Sequence, residues 1–580
     1  MRVLSARLAL LLFAFVLGSC GHRTTKLCDN IFLHEGKLTL GRNETVMVCG
    51  SSKGGEGWRD IPIPQAQYQL KILLQEKGYL HPRFERDKDI LHVWSGPPVE
   101  VKKFEIVGAD NLVRPWKKRK IIGEPMTPEK LDEVQQWIEI ELKSKGYACP
   151  QVSVKAQAWD GRVIATVVPG EKAIVGGVHR IGLEDFDSEA LARYQSFQAG
   201  DIYDVRETQL TVGRMLADSL IQSAYFSTKC HGQVVDLELK GSVGMPKLFT
   251  FGFGASTEEF PFFKIQFKNS KLDDRASSLW TTLYASPRLQ TLDLGMELYI
   301  LPWSKRTFFG PRFSLGRKSE RQIEENRAKI GADLGRKWDM WKVRWLGKFG
   351  PSLNYVNTVQ GIGPAEVSYV SLDGSLWTMS HLYEVTTAKQ FSGWEMKFDY
   401  KGQRKGIGSF VNVDRYELDY KHLWNIGNFS PPLFVLGSRF EGIAVSANQI
   451  SLDNSRTQLP SDYRVFYGGD RNLRGFGRQS LTNHDLGYLT AVYAGFELRL
   501  IEQLPWHLEP FLLYDIAKLG NARFKLEEPI FVSEGFGLRW ASPFGTLRGS
   551  AARGEIYDEA GVADEYPQEW VYFLSFGQEF

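Results

Sequence analysis

From about Lys247 onward the sequence loses every helical period and keeps one of two residues, and this restricts the fold more than any other feature. Segments such as "KLFTFGFGAS", "SLWTTLYAS", "TLDLGMELYIL", "RYELDYKHLW" and "YLTAVYAGFELRL" alternate apolar with polar or small residues. Turns rich in Gly, Pro, Asn, Asp and Ser separate them. At about twenty-one residues per strand and connection, residues 246–580 supply sixteen strands. Lipid offers no partner to an open sheet edge, so strands entering a membrane must close on themselves. The expectation is an all-β, sixteen-stranded antiparallel transmembrane barrel. A soluble sandwich would not end in "WVYFLSFGQEF", where Tyr572, Leu574, Phe576 and Phe580 share one face.

The N-terminus says where such a barrel would go. Arg2 and Arg7 precede an apolar run from Leu8 to Leu17, a pattern that reads as a secretory signal over residues 1–19. The run ends in Leu17-Gly18-Ser19-Cys20, similar to a bacterial lipoprotein processing site, so Cys20 is expected to carry lipid. Cys28, Cys49, Cys149 and Cys230 remain, and four cysteines allow three disulfide connectivities. Cys28 with Cys49 is favoured because the two flank one short segment. No later stretch has about twenty apolar residues, so helical spans are not expected. A net charge of +3, from 71 Lys and Arg against 68 Asp and Glu, supplies no reason to expect nucleic acid.

Between the signal and the barrel a unit of roughly seventy residues recurs three times. In "YQLKILLQEKGYLHPRF", "LDEVQQWIEIELKSKGYACPQVSV" and "LTVGRMLADSLIQSAYFSTKC" a helical segment runs into a small residue plus tyrosine, then into an extended piece. The tyrosines are Tyr79, Tyr147 and Tyr225. Short strands follow, in "DILHVWSG", "GRVIATVVPG" and "QVVDLELKG". This order resembles the POTRA domain, a periplasmic polypeptide-transport module, and suggests tandem α+β POTRA-like domains over residues 27–100, 101–175 and 176–245. Small sheets of this kind keep an edge strand that can recruit an extended segment.

Within the barrel, strand parity turns Glu497, Arg499, Glu509, Asp515, Gly535, Gly537 and Arg539 inward, and Phe536, Leu538 and Trp540 outward. The loop "GGDRNLRGFG", Gly468 to Gly477, precedes these strands. If it folds back through the barrel mouth, Arg474 can grip an inward carboxylate with its planar fork. Asp515 is the first choice and Glu509 the second. Gly475 would allow a tight turn, Phe476 would be an apolar anchor, and Gly535 and Gly537 would leave room on the wall.

The segment around Asp470, Leu473, Arg474, Gly475 and Phe476 resembles the Arg-Gly-Phe/Tyr loop of the barrel superfamily that includes BamA, TamA and the two-partner secretion transporters. "LYDIA", Leu513 to Ala517, is similar to that family's Phe-x-Asp-x-Gly strand motif. "GFGLRWASPFGTLR" is similar to its Gly-x-Gly-x-Arg-Trp-x-Ser-Pro-x-Gly segment, which carries Arg539, Trp540, Ser542 and Pro543. Leu513, Ala517 and Thr546 depart from the usual Phe, Gly and Pro. Three modules rather than five favour TamA over BamA. The resemblance implies a sixth outer loop inside the lumen, with Arg474 on Asp515, and Phe576 and Phe580 in a terminal-strand signal.

It further implies an outer-membrane assembly or translocation factor of a diderm, Gram-negative bacterium, its POTRA domains in the periplasm. Such a factor binds unfolded or nascent polypeptides and passes them to the membrane through a lateral seam between the first and last barrel strands. A TamB-like periplasm-spanning protein is the implied partner of the first module, and outer-membrane lipid surrounds the barrel. The alternatives are a two-partner-type transporter for one dedicated polypeptide, and a passive pore. Hydrolase, metalloprotease, phosphate-binding and dinucleotide motifs are absent from the sequence, so neither enzyme activity nor a cofactor or metal is expected.

Overall fold

The computed structural model describes residues 24–576 apart from 36–37, 51–60, 110, 114–120, 302–303, 386–390, 410, 430–431, 448–458, 483–484, 528, 543–544, 559–560 and 563–568. Cys20, Pro543, Phe580 and the signal segment lie outside the described residues. The chain divides into two compact units, 1–170 and 171–580.

The first unit holds two small α+β modules. One has strands β1 (Thr25–Cys28), β2 (Ile31–Glu35), β3 (Arg83–Asp87) and β4 (Ile90–Trp94), in the sheet order β1-β2-β4-β3, with helices α1 (Arg42–Cys49) and α2 (Ile63–Glu76). Leu70 and Leu74, one helical turn apart on α2, bury against Ile31, Leu33, Leu91 and Val93. Cys28 bonds to Cys49 across 5.5 Å between Cα atoms, the favoured pairing. The other module has β5 (Lys103–Val107), α3 (Pro128–Lys143), β6 (Gln151–Gln157) and β7 (Arg162–Val168). Thr127 caps α3 by accepting the Lys130 amide at 3.1 Å, and Val134, Ile138 and Leu142 bury one face on Val163, Ala165 and Val167.

The second unit opens with a third module: β8 (Ile174–Ile181), α4 (Ser188–Ala192), α5 (Val205–Ala217), β9 (Ile221–His231) and β10 (Val234–Val243). Here the sequence expectation needs correcting. Tyr225 does not stand at a helix end like Tyr79 and Tyr147 but lies inside β9, 61% exposed. The helix stops at Ala217 and Ser219 turns the chain with φ 54°, so the switch to strand comes before the tyrosine.

A closed antiparallel barrel follows. Its strands are β11 (Lys247–Ser256), β12 (Phe262–Asn269), β13 (Ser278–Ala285), β14 (Leu289–Glu297), β15 (Thr307–Ser319), β16 (Ile323–Met340), β17 (Val343–Gly361) and β18 (Glu366–Ser380). After helix α6 (His381–Glu384) come β19 (Gly393–Gln403), β20 (Val413–Ile426), β21 (Phe434–Ala447), β22 (Thr490–Leu500), β23 (Leu508–Gly520), β24 (Ile530–Ser542) and β25 (Gly545–Asp558). A two-residue strand, β26 (Gly561–Val562), only extends β25, and β27 (Trp570–Phe576) is the sixteenth wall strand. The outer wall is apolar: Ile330, Leu353, Val492, Leu512, Phe536 and Leu574 are all exposed. A soluble protein does not leave so continuous an apolar band in water, so the strands span a membrane. No described helix is long and apolar enough to do so.

The third module is joined to the barrel rim that carries α6 by buried charge. Arg214 of α5 donates to Glu384 of α6 at 2.8 and 2.6 Å and to Asp339 of β16 at 2.8 Å. His381 stands between Asp339, 2.8 Å from Nε2, and Glu207 of α5, 2.7 Å from Nδ1. Arg344 on Glu384 at 2.5 Å and Lys342 on Asp204 at 3.0 Å complete the junction. Burial pulls the His381 pKa down, but Asp339 and Glu207 outweigh it and the imidazole is held above its ordinary value.

Candidate functional site: an arginine brace in the lumen and a seam beside it

The connection from β21 to β22 does not stay outside. Its described part enters the barrel, where Leu473 joins Ile443, Tyr467, Leu481 and Ala517 in a buried cluster. Gly468 and Gly469 take φ +104° and +125°, values that only glycine adopts without strain, and Asn472 Oδ1 accepts the amides of Gly468 and Leu473 at 3.1 and 3.0 Å. That fold aims Arg474 at the wall.

Arg474 is 1% exposed. Its Nε and Nη2 donate to the two oxygens of Asp515 at 2.8 and 2.6 Å, and its backbone amide adds a third bond to Asp515 at 3.1 Å. Nη1 donates to Glu497. Glu497 also accepts from Arg499 at 3.0 and 2.8 Å and from Arg548 at 2.6 Å, and Tyr493 donates its hydroxyl to Asp515 at 3.0 Å. Register puts Gly495, Asp515 and Ser533 in one row across β22, β23 and β24. Gly495 leaves the space that the Tyr493 hydroxyl fills, since a Cβ there would lie 2.2 Å from it. A buried ion cluster is stable only when every charge is matched and hydrogen-bonded, and this one is.

The residues around the arginine find other places. Gly475 donates its amide to Ser533 Oγ at 2.9 Å, and a Cβ on it would lie 2.4 Å from the backbone of Arg553 and Gly554. Close approach to the wall, rather than a turn, is what requires glycine there. Phe476 packs edge-on against Phe531 at 5.8 Å. Asp470 lies 3.6 Å from Arg548. Glu509 does not reach the loop: it pairs with Arg539 at 3.2 Å, and Glu497 takes the place proposed for it. Gly535 and Gly537 do not open space for the guanidinium either. A Cβ on them would strike the carbonyl of Ala551 at 2.1 Å and the Phe511 ring at 2.2 Å, so they accommodate the wall's own neighbours. The glycine that lets the loop approach is Gly554, whose Cβ position is 2.6 Å from the Gly475 carbonyl. Trp540 faces outward, and Ser542 donates to the Gly545 carbonyl at 2.6 Å.

Beside this brace the wall closes on itself. β11 pairs with β12 continuously from Lys247–Asn269 to Gly254–Phe262, and β25 pairs with β27 from Leu547–Phe576 to Arg553–Trp570. Between β11 and β27, among the described residues, register pairs are limited to Ala255–Phe576 and Ser256–Ser575. Phe249, Phe251 and Phe253 of β11 are exposed. Among the described residues no group of three or more His, Cys, Asp or Glu is placed to hold a metal ion.

No protein-family model matches the chain. Among solved structures, it is similar to BamA from Haemophilus ducreyi lacking POTRA domains 1-3, at 14% identity over 82% of this chain and 99% of that one, TM-score 0.48. It is similar to CdiB from Acinetobacter baumannii at 15% identity, over 83% of this chain and 90% of that one, TM-score 0.46. CdiB from Escherichia coli matches at 12% identity, over 88% of this chain and 95% of that one, TM-score 0.45. At these values the likeness is one of architecture.

Proposed function

We propose that this protein is an outer-membrane assembly or translocation factor, which takes unfolded or nascent polypeptides from the periplasm and passes them to the membrane at the seam between β11 and β27. The observation that supports it is that junction of the first and last strands, where the register pairs among the described residues are Ala255–Phe576 and Ser256–Ser575 and where Phe249, Phe251 and Phe253 of β11 are exposed. An unpaired strand edge in lipid is costly, and the closure between the first and last strands is the one joint of the closed sheet with no connecting turn, so a client strand can add to β11 there without displacing a hairpin. The edge strands of the three modules, β1 and β3, β5 and β6, and β8 and β9, present the same chemistry to an extended chain in the periplasm. The work is strand exchange and needs no catalytic group. A lumen crossed by the loop that carries Arg474 speaks against a passive pore.

A photocrosslinking residue in place of Phe251, which is 74% exposed on β11, tests this in cells. The expected adducts are nascent outer-membrane barrels caught through their strands. A single dedicated exported polypeptide would instead favour the secretion reading, and the absence of any polypeptide adduct at β11 would contradict both.

A further inference from the structure

Four residues beyond Arg474, the same loop makes a second ionic contact of a different kind. Arg478 stands at the extracellular rim with 22% of its side chain exposed. It reaches Glu320, after β15, at 2.6 Å, and Glu258 and Glu259, in the turn from β11 to β12, at 3.4 and 3.2 Å. Glu258 is held by the loop from another side as well: its Oε1 accepts the Asp470 amide at 3.1 Å. A Cβ on Gly469 would lie 2.5 Å from that oxygen, so glycine is needed for the approach as well as for its φ of +125°.

The turn gripped in this way adjoins the seam. Immediately before Glu258, Thr257 donates its amide to the Leu574 carbonyl at 2.9 Å, and Leu574 returns its amide to Thr257 Oγ1 at 3.3 Å. With Ala255–Phe576 and Ser256–Ser575, these are the cross-seam links among the described residues. On the far flank the loop holds β24 and β25, through Gly475 on Ser533, Asp470 near Arg548, and the Gly475–Gly554 approach. One short segment therefore holds the β11 turn on one side of the seam and, beyond β27 on the other, β24 and β25.

We propose that Arg478 is a releasable clasp that keeps the extracellular end of the seam closed, while Arg474 is the fixed anchor of the same loop. The two arginines divide these tasks by burial. Arg474 and its two carboxylates are at most 1% exposed, whereas Arg478 is 22% exposed and its three carboxylates 5–12%, so water reaches the second ionic contact and not the first. Withdrawing Arg478 frees the β11 turn without disturbing the anchor, so opening of the seam is set at Arg478 rather than by strand pairing. This rests on reading the β11–β27 junction as the site of opening.

Hydrogen exchange on the full-length protein in lipid nanodiscs tests it. Arg478→Gln, and separately Glu258→Gln, are expected to speed exchange at the Thr257 and Leu574 amides on the order of tenfold, with β16 to β18 unchanged. Arg478→Lys, which keeps the charge, is expected to stay near the unmodified protein. Unchanged exchange at those two amides in both variants would overturn the clasp. So would loss of protection throughout the barrel, which would make Arg478 ordinary packing. The readout is backbone protection, so a wrong clasp is distinguishable from a wrong function: client adducts at β11 without faster exchange sink only the clasp.

Discussion

Truncating Arg474 to alanine leaves Asp515 fully buried with only the Tyr493 hydroxyl and the residue-474 amide to solvate it, while Glu497 keeps Arg499 and Arg548. Breaking a buried pair from one side costs about 3–5 kcal/mol, so Arg474→Ala is expected to lower the urea midpoint of the barrel markedly, read as loss of the compact band on an unheated gel. Because the cost is concentrated on one orphaned carboxylate, adding Asp515→Asn should recover part of it; a double variant no more stable than Arg474→Ala would contradict that assignment. Gly475→Ala, whose Cβ would lie 2.4 Å from backbone, should cost about 1–3 kcal/mol by overpacking, and Gly554→Ala should behave alike. The pairing of Arg474 with Asp515 could be read from the sequence because parity fixes a face and the loop motif names an arginine. Parity does not fix height along a strand. Glu509 and Asp515 share a face on β23 but stand six residues apart, about 20 Å at 3.3 Å per residue, and this is why Glu509 meets Arg539 instead.

The junction between the third module and the barrel gives an element-scale prediction. His381 is faced by Glu207 from α5 and Asp339 from β16, and Asp339 shares Arg214 of α5 with Glu384 of α6, which also pairs with Arg344 of β17. Its pKa is raised in the folded protein, so the stability it contributes is fully present below the ordinary imidazole value and is lost as pH rises through the raised one. Amide protection in α5 should therefore fall on the alkaline side of that ordinary value, and His381→Gln should remove the pH dependence. A profile unchanged by the substitution would place its source elsewhere. Nothing in the sequence signals this cluster, since its members come from α5, β16, β17 and α6 and meet only through the fold. The strands themselves were legible from alternation alone, because a wall between lipid and lumen imposes period two on every segment. The third helix boundary was not: Tyr225 follows a helical period that α5 leaves at Ala217, and the left-handed turn at Ser219 has no glycine to announce it.

At the scale of the whole molecule, an apolar-walled barrel closes between its first and last strands, through Ala255–Phe576 and Ser256–Ser575 among the described residues, and the Arg474 loop holds the β11 turn on one side of that closure and β24 on the other. Three α+β modules precede it, two in the first unit and one in the second, and each has a small sheet with two edge strands. The repeat and the barrel were both written in the sequence as periods. The seam came only from the family resemblance, because pairing between the first and last strands depends on register across the closed sheet, which no local pattern encodes. The most direct measurement replaces Ser256 and Ser575, which face each other across the seam, with cysteines and follows insertion of an outer-membrane barrel client in cells. With the pair oxidised, client insertion should stop, and a reductant should restore it, while each single replacement inserts normally. Insertion at the unmodified rate through a covalently locked seam would contradict the account.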